Sequence, residues 1–92
     1  MKNFKQQAAL NRVLSIIQAI DDERFHWMLN ACHYSFKMAG KYRLTIWVET
    51  AEIAKTLKSD IIKLMMQDGD SIETRKCDSE NTPYTVDITI EY

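Results

Sequence analysis

Two glycines and one proline in 92 residues leave this chain poor in structure breakers. Disordered segments are rich in such residues and short of apolar ones, whereas 46% of this sequence is hydrophobic, so long disordered stretches are excluded. With only Gly40 and Gly69, far apart in the chain, a glycine-rich loop that cradles phosphate is excluded too. Cysteine is equally scarce. Cys32 and Cys77 show no CxxC spacing, which rules out a disulfide scaffold and predicts reduced thiols in a cytosolic protein. No apolar run approaches the roughly 20 residues of a membrane-spanning helix. The opening MKNFKQQ lacks an apolar core, so no secretory signal is expected.

What is present is the composition of a single small globular domain over residues 1–92, enough for one modest core. The net charge of −1 hides an asymmetry. Residues 1–49 carry seven Lys/Arg against four Asp/Glu, and residues 50–92 carry five against nine. A uniform polyanion binder would be basic throughout, and a DNA mimic acidic throughout. One basic and one acidic half suit a composite partner or self-association.

No breaker precedes Gly40, so the first 30 residues can be helical. Leu10, Val13, Leu14, Ile17 and Ile20 repeat at helical spacing, and the stripe can continue through Phe25, Met28 and Cys32. Asp21, Asp22 and Glu23 interrupt it, so one long helix and two shorter ones both fit, with either Asp as a cap. Next comes HYSFKMAGKYRLTIWVE, residues 33–49, where apolar and polar positions alternate. Tyr34, Phe36, Met38, Tyr42, Leu44, Ile46 and Val48 form one set; His33, Ser35, Lys37, Arg43, Thr45, Trp47 and Glu49 form the other. Pairing Met38 with Tyr42, Phe36 with Leu44 and Tyr34 with Ile46 predicts a hairpin with Ala39, Gly40 and Lys41 as its loop. A second helix to about Met38, followed by one strand from Tyr42, is the rival.

Thr50 is the expected N-cap of a helix whose buried stripe is Ile53, Leu57, Ile61, Leu64 and Met65, with Lys55, Ser59 and Lys63 opposite and Gly69 as its stop. SIETRKC, residues 71–77, reads as a polar edge strand. Residues 78–83 read as a turn. In YTVDITIEY, Tyr84, Val86, Ile88, Ile90 and Tyr92 alternate with Thr85, Asp87, Thr89 and Glu91, the pattern of a strand with one buried face. The predicted class is α+β: a small antiparallel sheet with helices on one face, in the order α(α)-ββ-α-ββ.

Catalytic and metal chemistry find little support. His26, Cys32, His33 and Cys77 lack the tight pairing of zinc ligands, and both cysteines read better as small core residues. No strained nucleophile turn accompanies them. Asp21, Asp22 and Glu23 are explained by helix capping. No cofactor is expected, and the chain is not expected to be an enzyme. The remaining candidates are surface contacts. Lys37, Lys41 and Arg43 gather around the first hairpin near Trp47 and His33; cations neutralise phosphates and aromatics stack on bases. The plain reading of such cations is a solvated edge that resists pairing. Trp47 resists that reading unless a helix covers it, because large aromatics are favoured at interfaces. Arg75 and Lys76 form a smaller candidate of the same kind.

Taken from MKNFKQQAALNRVLSIIQAI through TVDITIEY, the chain resembles small phage-encoded anti-CRISPR proteins, in particular inhibitors of type I-F surveillance complexes. Length, element order and the general look of the whole chain carry the resemblance. No motif does, and no site residue is transferred. It implies a non-catalytic protein that binds an effector of protein subunits and guide RNA in the host cytoplasm and blocks target DNA binding or hybridisation, acting as a monomer when bound and without a membrane. Lys37, Lys41, Arg43 and Trp47 are then expected on one side of the contact. Asp87 and Glu91 are expected on another, against subunits whose Lys/Arg hold DNA. Three other readings remain: a host-takeover or regulatory protein with a different macromolecular partner; a homodimeric ligand-binding module, with YTVDITIEY pairing edge to edge; and a hydrolase or nuclease with scattered catalytic residues.

Overall fold

The computed structural model describes residues 4–20, 25–34, 39–65, 67 and 70–92. Its elements are α1 (Phe4–Ala19), β1 (His26–Tyr34), β2 (Ala39–Val48), α2 (Ala51–Met65), β3 (Ser71–Lys76) and β4 (Tyr84–Glu91). The fold is α+β, in the order α-ββ-α-ββ. All neighbouring strands run antiparallel in one sheet of order β1-β2-β4-β3. The connection β2–α2–β3 therefore passes over β4, which fills the slot between β2 and β3.

The alternation anticipated in β2 and β4 builds the sheet side of the core. Tyr42, Leu44, Ile46 and Val48 of β2, with Val86, Ile88 and Ile90 of β4, pack against Ala9, Val13, Ile16 and Ile20 of the α1 segment and Ala54, Leu57 and Ile61 of α2. Each large aliphatic side chain removed from water contributes about 1.5–3 kcal/mol.

In α2, the Ile53 backbone N–H donates to Thr50 Oγ1 at 3.2 Å, the bond expected of an N-cap. Glu52 stands in the first turn, where the helix dipole favours an anion. Leu57 and Ile61 are buried, and Lys55, Ser59 and Lys63 are exposed, as their spacing predicts. Gly69 and the side chains of Leu64 and Met65 lie outside the described residues.

Three sequence expectations are corrected. First, α1 is rotated from its expected face: Ala9, Val13, Ile16 and Ile20 are buried, whereas Leu10 and Ile17 are half-buried and Leu14 is 44% exposed. Arg12 accounts for the rotation. Both terminal nitrogens of its guanidinium, Nη1 and Nη2, donate to the Asp70 carboxylate, which is 3% exposed, anchoring that flank of α1 to the segment before β3.

Second, among the described residues no second helix lies between α1 and β2. Met28 and Cys32, assigned to a helical stripe, belong to β1, which begins at His26. The hairpin register differs as well: Tyr34 pairs with Ala39, His33 with Gly40 and Ala31 with Tyr42. Gly40 is therefore a strand residue and not a turn residue. A Cβ there would collide with the Cys32 carbonyl oxygen and the Tyr92 ring. The Gly40 N–H donates to the Tyr92 carbonyl at 3.2 Å, and the Tyr92 N–H returns the bond to Gly40 at 3.0 Å. The glycine is required by this close approach. Because the register moves by an odd number of residues, the faces of β1 are exchanged. Phe36 and Met38 lie outside the described residues.

Third, β4 is an inner strand, hydrogen-bonded to β2 and β3, so YTVDITIEY offers no edge for dimerisation. The edges are β1 and β3. The connection to β4 is held by the Cys77 N–H donating to the Pro83 carbonyl at 2.7 Å and by a 3.0 Å bond between the Ser79 and Thr82 hydroxyls.

Candidate functional site

The register places the polar set of β2 on the sheet face turned away from the helices. Reading across the strands β1, β2, β4 and β3, one row is His26, Trp47, Thr85 and Arg75; the next is Met28, Thr45, Asp87 and Glu73; a third is Asn30, Arg43, Thr89 and Ser71. The last row is Cys32, Lys41 and Glu91. Lys41, Arg43, Trp47, Arg75, Asp87 and Glu91 thus share one open face. Lys76 pairs with Tyr84, whose neighbours in alternation face the helices, so Arg75 and Lys76 point to opposite sides of β3. Lys37 lies outside the described residues. His33 is opposite Gly40, at the far end of the ladder from Trp47.

The charges on this face are unevenly engaged. Arg75 Nη2 donates to Glu73 Oε2 at 2.9 Å, and its Nε stands 3.9 Å from Asp87 Oδ2. The hydrogen bond and charge of Glu73, followed by the charge of Asp87, hold the Arg75 guanidinium above its ordinary pKa. Asp87 accepts from Thr45 Oγ1 at 3.0 Å and from Thr85 Oγ1 at 3.1 Å, and its side chain is only 11% exposed. Lys41 and Glu91 are register partners. Arg43 is exposed between the neutral Asn30 and Thr89, and among the described residues no ion pair engages it.

This arrangement revises the expected division of labour. The acidic residues are not on a separate side from the cations. Asp87 is turned into the sheet surface as an acceptor for two threonines, while Glu91 is exposed at the end of the same face. Among the described residues no helix covers Trp47; it is half-buried among its strand neighbours. It lies four residues from Arg43 along β2, about 13 Å away, with Thr45 between them.

Sequence reasoning missed the β1 side of the face. His26, Met28, Asn30 and Cys32 are all exposed there, Met28 at 49%. The reading of Cys32 as a core residue is therefore corrected, while Cys77 is half-buried with its thiol directed to the Thr82 carbonyl at 3.3 Å. The overlooked signal was that HWMLNACHY is rich in β-compatible side chains and contains no formal charge. Among the described residues no group of three His, Cys, Asp or Glu is placed to hold a metal ion, and no helix is long and apolar enough to cross a membrane.

No protein-family model matches the chain, and neither the curated proteins nor the solved structures give a match.

Proposed function

We propose that this protein is a non-catalytic inhibitor that docks, one copy per site, on a type I-F CRISPR effector in the host cytoplasm and keeps target DNA from the guide RNA. The observation that carries the docking part is the open sheet face, where Arg43 stands without a carboxylate partner between Trp47 and Lys41. Such a face meets phosphate through Arg43 and Lys41 and a base or an apolar protein surface through Trp47 and Met28. The identity of the partner rests on the whole-chain resemblance. RNA-guided effectors hold their heteroduplex in a positively charged channel through backbone contacts. A rigid protein seated beside exposed guide RNA would obstruct strand pairing sterically and would need no chemistry of its own.

Glu91, exposed at the end of β4, is the acidic residue best placed to meet a basic subunit. Asp87 supports the face from within. The test is binding of the purified protein to a guide-loaded type I-F complex, followed by target DNA. The expected result is stoichiometric binding with loss of DNA association, both weakened by Arg43→Glu. Its strand neighbours are neutral, so this substitution leaves the fold intact. Binding unchanged in folded Arg43→Glu removes the open face from the mechanism. Failure of the wild-type protein to bind removes the effector as partner.

A further inference from the structure

The two edges of the sheet are built differently. The β3 edge is six residues long and carries Glu73, Arg75 and Lys76, all exposed. Charges of this kind keep an edge from pairing with another strand. The β1 edge is nine residues long, HWMLNACHY, with no Lys, Arg, Asp, Glu or Pro. It offers a long row of backbone donors and acceptors with none of the usual deterrents.

The helix layer also stops short of β1. The ion pair of Arg12 with Asp70 fixes one flank of α1 toward the β3 side. Leu10 and Leu14, two residues to either side of Arg12, lie across the helix from it, each about 160° around. Leu14 is 44% exposed there. Trp27, on the helix side of β1 opposite Ile46, is 48% exposed. An unguarded edge and an unfilled apolar step therefore lie side by side.

We propose that β1 pairs antiparallel with β1 of a second copy of this chain, about a two-fold axis at Asn30, forming a dimer with one continuous eight-stranded sheet. This goes beyond the docking reading and does not depend on it. Spacing favours a second copy over a bare peptide strand. In the dimer the two β2 strands lie three strand intervals apart, about 14 Å. The helix α1 packs on β2 and β4, so a second copy brings its own helix layer to the helix side of the joined β1 strands, where Trp27 is exposed. A lone added strand would satisfy the backbone but bring no helix layer beside Trp27.

The register about Asn30 pairs the strand along its whole length. It sets Asn30 against Asn30 of the second copy and Met28 against Cys32 of the second copy, and brings no charged side chains together. The two Arg43 residues stand about 14 Å apart, beyond the screening length of about 8 Å at physiological salt. The open face keeps Trp47 and Arg43 uncovered, and Met28, at the seam, is the one docking contact that pairing touches.

Sedimentation of the full chain across the micromolar range tests this. The expected wild-type mass is twice 10.8 kDa. Asn30→Asp places two carboxylates at the axis while giving each copy an opposite charge beside Arg43. It should weaken the dimer at least about tenfold without lowering the melting temperature of the monomer. Met28→Cys should crosslink under oxidation to Cys32 of the second copy, and adding Cys32→Ser should abolish that crosslink. A wild-type protein that sediments at 10.8 kDa at every concentration overturns the proposal. A dimer that neither Asn30→Asp weakens nor Met28→Cys crosslinks overturns it equally, because its seam then lies elsewhere.

Discussion

Thr45 and Asp87 face each other across the central β2–β4 ladder, and the Thr45 hydroxyl donates to Asp87 Oδ1 at 3.0 Å. Thr85 donates to the other carboxylate oxygen at 3.1 Å. The one acidic residue in the middle of the open face is thus committed to its own sheet. Asp87→Ala should lower stability by about 1–2 kcal/mol, since two hydrogen bonds to a charged acceptor are lost. Urea unfolding measures this. A variant as stable as wild type would mean that the threonines contribute nothing.

Arg12 and Asp70 should respond unequally. Asp70 is 3% exposed in its side chain and Arg12 is 21% exposed, so removing the arginine leaves a buried carboxylate with the Gln67 N–H, at 2.8 Å, as its remaining donor, whereas removing the aspartate leaves a cation with access to water. Arg12→Ala is expected to cost about 3 kcal/mol, and Asp70→Ala less. Equal losses in chemical denaturation would contradict this asymmetry.

Gly40→Ala should destabilise the fold by roughly 1–3 kcal/mol, the usual cost of overpacking. The added methyl meets the Cys32 carbonyl, which cannot move without disturbing the β1–β2 ladder. Replacing Tyr92 by Ala in the same background should recover only part of the loss, because the ring moves away and the carbonyl does not. Full recovery would show that the ring alone excludes a side chain.

Alkaline pH supplies another check. Burial of its hydroxyl, then the neighbouring Tyr42 ring 5.3 Å away, raises the Tyr92 pKa above 10.0. A raised tyrosine pKa means that the unfolded chain ionises first. The contribution of neutral Tyr92 is therefore complete below pH 10.0 and fades as the pH rises from there through the higher folded value. Thermal unfolding of wild type should fall more steeply above that pH than unfolding of Tyr92→Phe. Parallel curves would contradict the assignment.

The legible parts of the sequence were those with one strong period. The β2 and β4 alternations and the α2 stripe with its Thr50 cap read directly into the structure, and with them the shared face of Arg43 and Trp47; Lys41, expected in the hairpin loop, is instead a strand residue of β2. What misled was an ambiguous pattern. Phe25, Met28 and Cys32 satisfy a helical period, and nothing local shows that β2 offers a free edge to this segment. Gly40 looked like a turn because its true reason, the Tyr92 strand end passing against it, is distant in sequence. The side-by-side placement of Asp87 with Thr45, and of Glu91 with Lys41, depends on β4 inserting next to β2. That is a topological fact no local pattern encodes.

The most direct measurement of the central claim is DNA binding by a guide-loaded type I-F complex with and without this protein, at low and high salt. The account predicts that wild type binds the complex and abolishes DNA association. It further predicts that Arg43→Glu loses much of this effect and that raising the salt weakens wild type more than the variant. A complex that captures its target unchanged in the presence of excess folded protein would contradict the account.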